Sequence, residues 1–494
     1  MEQKTQLALA KTHLQRELWR KLRPVNIPAA TDTYKRTMSG SSELFADNFT
    51  VYSLAARKSL NEEGVNGRYI AAGLEKMLYP WFMEPVTTEE VEVARDFFTN
   101  KAAVKKFPEK AWDAVLANEG YFPIDVWGLP GGQTFLARDG KHTPHLSVEG
   151  MGALVTHLEP HLEHNYAPLI QATKARLFKE VVGDKFAEFG LRSDQNENNH
   201  VALMTALYVG GRFRLTSDDQ AVLLFPEYFR DIGTIGHEFL MAYQRADISL
   251  EEAQSRAYAD FVAVNQRSAL LPDVVHTQGS GMPAILKLIE KNKGNGKVII
   301  PRFDSGNVPM QCVDWKQKTL RNGIEQTSMV VEDGYNPSKA RLTQEAYKVA
   351  GFNPEDITVG AGGYFQEGCT RDAASLVFKR SATMHEGKLE ESVKFSDTPG
   401  KESLPGKIRI YANGRKLIVA QAGEKVEGEM LSRKLVSNGR IVYNETLDQQ
   451  ADRADKTWDA YDSVEYSPLT TEIISRRTIE RDKTVDKYKG EVVA

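Results

Sequence analysis

Val359–Lys379 reads VGAGGYFQEGCTRDAASLVFK, and this stretch decides the fold. A β-branched run feeds a glycine-dense turn at Gly360, Gly362 and Gly363, where backbone N–H groups are able to close around a phosphate. Upstream, Val298–Asn307 reads VIIPRFDSGN and puts Arg302, Asp304 and Ser305 where an apolar run meets Gly306. That is the usual position of active-site residues in an α/β protein, so the two stretches together point to a phosphate-handling barrel.

Working outward, apolar runs alternate with helical patterns beyond Met151: FAEFG, FRDIG, LLPDVV, KVIIPRF, SMVVEDG and ITVGAGG. Such alternation signals βα units and a parallel sheet or barrel. The ends of these runs carry Phe189 and Arg192, His237, Asp273, Arg302 and Asp304, Asp333, and Gly362 with Gly363, as a barrel's active face requires. From Phe49 to about Trp127 the pattern is α+β, with a T-x-E-E opening for a helix at Thr88–Thr99. Gly128–Gly150 reads as hairpin chemistry ending in Val148–Gly150, VEG. The tail after SDTPGKESLPGK is again α+β. The expected architecture is an irregular α/β barrel over 151–395 and an α+β domain built from both chain ends, 1–150 and 396–494.

The chain has 494 residues, 41% hydrophobic and 26% charged, enough for two or three domains with substantial cores. A net charge of −4 and a pI near 6.3 give no overall cationic field for nucleic acid or anionic membrane. Any phosphate site must therefore be locally basic. Two cysteines, Cys312 and Cys369, are too few for a disulfide framework or thiolate metal site, and a reducing cytosol is expected. The N-terminal MEQKTQLALAKTHLQRELWRKLRP reads as a charged helix without the apolar core of a secretory signal, and no run reaches the ~18 apolar residues of a membrane span. A cytoplasmic location is expected.

Several motifs admit two readings from their residues alone. Asp304 either stabilises positive charge on a sugar carbon or orients a ring nitrogen, or it is a turn carboxylate capping Gly306 and Asn307. Arg302 shares its side of the strand by the period-two rule. His237, beside Glu238 in GTIGHEF, is either a phosphorylated nucleophile whose tautomer a carboxylate fixes or a histidine that braces its loop. Phe189 either stacks on a flat aromatic ligand or packs in the core. Thr216 and Ser217 are small donors or ordinary turn residues. His157, His161 and His164 imitate a metal site at helical spacing, but Pro160 and the absence of H-E-x-x-H favour a packed segment. Neither a Walker A loop nor G-x-G-x-x-G occurs.

In order, TDTYKRTM, VEG, FGLR, GTIGHEF, PRFDSGN, VGAGG with TRD and FK, and KFSDTPGKESLPGK resemble the nicotinate and nicotinamide phosphoribosyltransferases over roughly Ala30 to Lys407. The resemblance implies the type II phosphoribosyltransferase fold and a homodimer with active sites at the subunit interface. Tyr34 would reach into the neighbouring site, opposite Phe189, with the pyridine between them. Arg192 and Arg302 would hold base and phosphate, and Asp304 would orient the reacting group. Asp273, Ser305 and Gly306 would lie in the substrate site, Asp333 and Gly334 at the ribose, and Gly362 and Gly363 at the 5-phosphate.

The implied reaction moves phosphoribosyl from phosphoribosyl pyrophosphate, with Mg²⁺, to the pyridine nitrogen. ATP is a co-substrate that phosphorylates His237. At the pocket position where the nicotinamide branch has an Asp, Ser217 is expected, which favours nicotinate; Asp218 and Asp219 stand next to it. Nicotinamide is the alternative, and an aldolase- or isomerase-like barrel or a non-catalytic phosphoribosyl pyrophosphate-binding protein are the rival classes. At LLPDVVH a second acidic residue expected soon after Asp273 is missing, so the metal ligands stay unassigned.

Overall fold

The computed structural model describes residues 13–325, 327–396 and 402–492. Met1–Thr12 of the N-terminal helix and Asp397–Lys401 of KFSDTPGKESLPGK lie outside them. Contacts divide the chain into two compact units: Met1–Lys174 with Thr205–Gly210 and Gly368–Ala494, and Ala175–Met204 with Gly211–Glu367.

The first unit joins both chain ends, with bounds that differ from the 1–150 and 396–494 read from the sequence. Phe49–Ala55 pairs antiparallel with both Leu146–Met151 and Val377–His385, and Ile124–Gly128 pairs antiparallel with Arg433–Ser437. The T-x-E-E signal forms a capping box, in which the Thr87 hydroxyl accepts from Glu90 N–H while the Glu90 carboxylate accepts from Thr87 N–H. The helix is regular only over Thr88–Asp96 and then loosens into a wider turn over Phe97–Lys101. Glu149 of VEG is buried, 2.7 Å from the Arg409 guanidinium, which stacks 4.1 Å from the Trp127 ring. Its role there is to neutralise a buried charge. The three-histidine segment is packed: Nε2 of His157 lies 2.9 Å from the Ile27 carbonyl and Nε2 of His161 lies 2.7 Å from that of Ala30.

The second unit holds a curled, wholly parallel seven-stranded sheet, a half-barrel, in the α/β class expected as an irregular barrel. Its strands are β1 (Phe186–Glu188), β2 (Leu215–Thr216), β3 (Arg230–Asp231), β4 (Arg267–Leu270), β5 (Val298–Phe303), β6 (Met329–Val331) and β7 (Ile357–Ala361), in the order β4-β5-β6-β7-β1-β2-β3. Intervening helices include α1 (Glu197–Gly211), α2 (Asp219–Leu224), α3 (His237–Met241), α4 (Val308–Arg321) and α5 (Pro337–Val349). The central strands read as short apolar runs because both faces are covered; β1 and β6 are buried throughout. Under β1, Phe186 packs 4.1 Å from Phe213 and 5.2 Å from Phe178, ring centre to ring centre.

Register places the chemistry. Phe303 pairs with Val331, Ala361 with Glu188, and Glu188 with Thr216. The residues that follow each strand therefore emerge side by side at one edge of the sheet.

Candidate active site

The strand-end residues expected from the sequence are where the alternation put them. Asp304 follows β5 directly, Asp333 follows β6 by two residues, Gly362 and Gly363 follow β7, and Phe189 and Arg192 follow β1. They line one cavity of about 530 Å³, together with Glu332 and Glu367. One arginine and four carboxylates face it. Such a lining suits developing positive charge and hydroxyl groups better than a bare polyanion.

The two glycines after β7 have different reasons to be glycine. A Cβ on Gly362 would stand 2.3 Å from the Cα of Gly190, so the two loops approach closer than any side chain allows. A Cβ on Gly363 would meet only Ser193 Oγ, at 3.7 Å. Neither residue has positive φ. Among the described residues, neither the Gly362 nor the Gly363 amide has a protein acceptor, so both remain available to an anion in the cavity. At the end of β6 the backbone is strained: Asp333 has φ 88° and Gly334 φ 61°. Lys339 Nζ donates to Asp333 Oδ2 at 3.0 Å.

His237 opens α3, and its Nε2 lies 3.0 Å from Asp273 Oδ1 and 3.9 Å from Asp304 Oδ1. The carboxylate that fixes the imidazole is therefore Asp273, from the loop after β4; the sequence neighbour Glu238 is exposed on the helix. Asp273 Oδ2 accepts from the Ser305 hydroxyl at 2.6 Å. Burial pushes Asp273 up, but the hydrogen bonds from Ser305 and His237 outweigh it and hold the carboxyl below its ordinary value. Asp304 moves the opposite way, raised by burial and by the Asp273 charge. Asp304 thus brings a second carboxylate, from another strand end, beside Asp273. Among the described residues, His237, Asp273 and Asp304 bring one ligating atom each to within 4.8 Å of one another.

Arg302 shares the Asp304 side, with Nη2 3.6 Å from Asp304 Oδ2, and its Nη1 donates to the Thr234 hydroxyl. Its Nε lies 3.7 Å from Glu332 Oε1. The guanidinium is thus framed by protein groups and is absent from the cavity lining. Gly306 turns the chain at φ 79°, and Asn307 caps α4 through Met310 N–H. Ser217 is exposed at the end of β2 and does not line the cavity. Asp218 is buried and caps α2, its Oδ1 accepting from Gln220 and Ala221 N–H at 2.9 and 3.1 Å. Tyr34 belongs to the first unit, half-exposed, with Lys35 Nζ 4.4 Å from its ring centre.

Glu332 and Thr234 escaped the sequence reading. Glu332 ends the run SMVVEDG one residue before Asp333, and the same strand-end rule reaches it. Its carboxyl is buried and raised, by burial first and then by Asp304. Thr234 in GTIG carries no distinguishing signal.

No family model matches the chain. It is 25% identical over 274 residues to the nicotinate phosphoribosyltransferase of Bacillus subtilis, covering 54% of this chain and 50% of that protein. The chain thus spans about half the length of that relative. It is 23% identical over 440 residues to the nicotinamide phosphoribosyltransferase of Xanthomonas campestris, covering 79% of this chain and 91% of that one. Human nicotinic acid phosphoribosyltransferase superposes with a TM-score of 0.67 at 17% identity, over 90% of this chain and 99% of the human one. Nicotinate-nucleotide pyrophosphorylase from Pyrococcus furiosus superposes with a TM-score of 0.58 at 17% identity, over 87% and 95%. The resemblance drawn from the motifs is borne out, and the fold is that of the type II phosphoribosyltransferases. Among the described residues no helix is long and apolar enough to cross a membrane.

Proposed function

We propose that this protein transfers a phosphoribosyl group from phosphoribosyl pyrophosphate to the ring nitrogen of nicotinate, forming nicotinate mononucleotide and pyrophosphate with ATP as co-substrate. The observation that carries the reading is one cavity that combines an aromatic face at Phe189, open amides at Gly362 and Gly363, and Asp304 at the end of β5. Phe189 presents a ring for the pyridine. The Gly362 and Gly363 amides receive the 5-phosphate, and Asp333, held by Lys339, accepts from ribose hydroxyls.

In the reaction the bond from the anomeric carbon to pyrophosphate breaks, the pyrophosphate leaves with the electron pair, and the pyridine nitrogen forms the new bond. Positive charge grows on the anomeric carbon, and Asp304 is placed to stabilise it. Asp304 is anchored for this by Arg302, which Thr234 and Glu332 hold in turn. Asp273 and Asp304 are the oxygen donors suited to Mg²⁺ brought in with pyrophosphate, where the ion would offset the substrate's charge against the acidic lining. His237, oriented by Asp273, accepts the γ-phosphoryl group of ATP as ADP leaves with the electron pair of the broken P–O bond, and later hydrolysis of the N–P bond to free phosphate drives the transfer forward. In a homodimer, Tyr34, half-exposed in this chain, would complete the partner's base site.

Nicotinamide is the second reading, favoured by the long match to the Xanthomonas relative. Substitution Asp304→Ala tests the common part of both. Mononucleotide formation should fall by roughly 10²–10³-fold while the melting temperature holds, since Asp304 is a partly exposed carboxylate held at some electrostatic cost. Near-normal turnover would remove Asp304 from the chemistry.

A further inference from the structure

The polar segment LRSDQNENNH ends in a residue the proposed reaction does not use. His200 sits on α1 with 0% exposure. Its Nε2 lies 3.1 Å from Glu188 Oε2 and 3.9 Å from Asp218 Oδ2, and its Nδ1 lies 3.6 Å from Asp194 Oδ2. Glu188 comes from β1, Asp194 from the loop after it, and Asp218 from the start of α2. The other groups at this cluster are neutral: the Thr216 hydroxyl donates to Glu188 Oε2 at 2.9 Å, and the Gln366 amide donates to Asp194 Oδ2 at 2.8 Å. On His200's own helix Glu197 is exposed.

Nε2 is hydrogen-bonded to Glu188, while Asp194 Oδ2 stands 3.6 Å from Nδ1, too far for a hydrogen bond, and meets the ring as a charge. Three carboxylates removed from water also need a cation among them. The ring is joined to two loops that line the cavity, those after β1 and β7, and to the loop after β2 beside them. Glu188 accepts from Gly190 N–H next to Phe189, and its carbonyl accepts from Ser217 N–H at 3.0 Å. Asp194 reaches Gln366, three residues beyond Gly363.

We infer that His200, carrying both protons, is a positioning residue that ties the loops after β1, β2 and β7 together and so sets Phe189 and Arg192 for the flat base. This role rests on the proposed reaction. Burial opposes the extra proton, but the pairing with Asp194 and Glu188 and the charge of Asp218 outweigh it and raise His200 to about 9. Because the folded value lies above the ordinary histidine value, the lock is complete below pH ~6.5 and is lost as pH rises through about 9.

The test uses the full-length protein. For the wild type, KM for the pyridine should climb as pH passes about 9 while kcat changes little. His200→Gln should show KM raised by roughly tenfold and no such climb. An unchanged KM and an unchanged pH profile in folded His200→Gln would overturn the inference. If that variant does not fold, Asp194→Asn decides: the climb moves to lower pH if His200 is the lock and stays in place if it is not. If no form of the protein makes mononucleotide, the proposed reaction fails, and thermal unfolding then tests His200 alone. The wild type should lose stability through the same pH window and Asp194→Asn should lose it earlier; a flat profile in both would overturn it.

Discussion

His237 Nε2 and Asp273 Oδ1 are joined by a 3.0 Å hydrogen bond between two neighbouring strand-end loops. With Asp273 held anionic by Ser305 and His237 against its burial, the carboxylate fixes the proton on Nε2 and leaves the lone pair on Nδ1. In the proposed reaction, phosphoryl transfer from ATP to this imidazole would therefore take place at Nδ1.

Asp273→Asn breaks that arrangement. The amide donates as readily as it accepts, so the tautomer is no longer dictated, and ATP consumption coupled to transfer should fall by roughly 10²-fold. Single-turnover formation of acid-labile phosphohistidine measures it. Undiminished labelling in the variant would show that Asp273 does not orient the nucleophile.

Gly362 and Gly363 separate packing from binding. Gly362→Ala forces a methyl group to 2.3 Å from the Cα of Gly190, and should lower stability by about 2 kcal/mol. Gly363→Ala meets nothing nearer than 3.7 Å. It should melt like the wild type but raise KM for phosphoribosyl pyrophosphate roughly tenfold. Normal kinetics in a stable Gly363→Ala variant would place the phosphate elsewhere.

Ser217→Asp addresses the choice of base. Asp218 is committed to capping α2 and Ser217 is exposed, so an added carboxylate at 217 should disfavour an anionic pyridine. KM for nicotinate should rise roughly 10- to 100-fold relative to nicotinamide. Equal effects on both bases would remove residue 217 from specificity.

Asp356 supports the sheet from below. It accepts from Lys316 Nζ at 2.7 Å, Tyr347 hydroxyl at 2.9 Å and Thr327 hydroxyl at 3.0 Å. Burial raises its carboxyl, but these partners outweigh it and hold it below the ordinary aspartate value. A depressed acid stabilises the fold above the unfolded value and loses that contribution as pH falls through the folded one. Asp356→Asn should cost about 2 kcal/mol at neutral pH, and the gap to the wild type should close below pH ~4. Denaturant unfolding at both pH values measures it.

The sheet was legible because each buried parallel strand announces itself as an apolar run ending in a polar residue. VIIPRF runs into Asp304 in this way, and ITVGA runs into the Gly362 turn. What the chain order hides is lateral pairing. Glu238 sits beside His237 in sequence, yet the partner is Asp273, 36 residues away along the chain. His200 closes the polar segment LRSDQNENNH, and NENNH has no apolar stripe of its own to announce burial. Only the convergence of Glu188, Asp194 and Asp218 explains its burial. For Arg302 the resemblance implies a hold on the substrate, and the sequence does not show Thr234 and Glu332, which frame it and come from other strand ends.

The most direct measurement is mononucleotide formation by the purified protein with phosphoribosyl pyrophosphate and Mg²⁺, supplied with nicotinate or nicotinamide, each with and without ATP. The account predicts nicotinate mononucleotide, formed faster when ATP is present. Product from nicotinamide in preference to nicotinate would contradict the choice of base, and no product from either would contradict the assignment of the cavity to phosphoribosyl transfer.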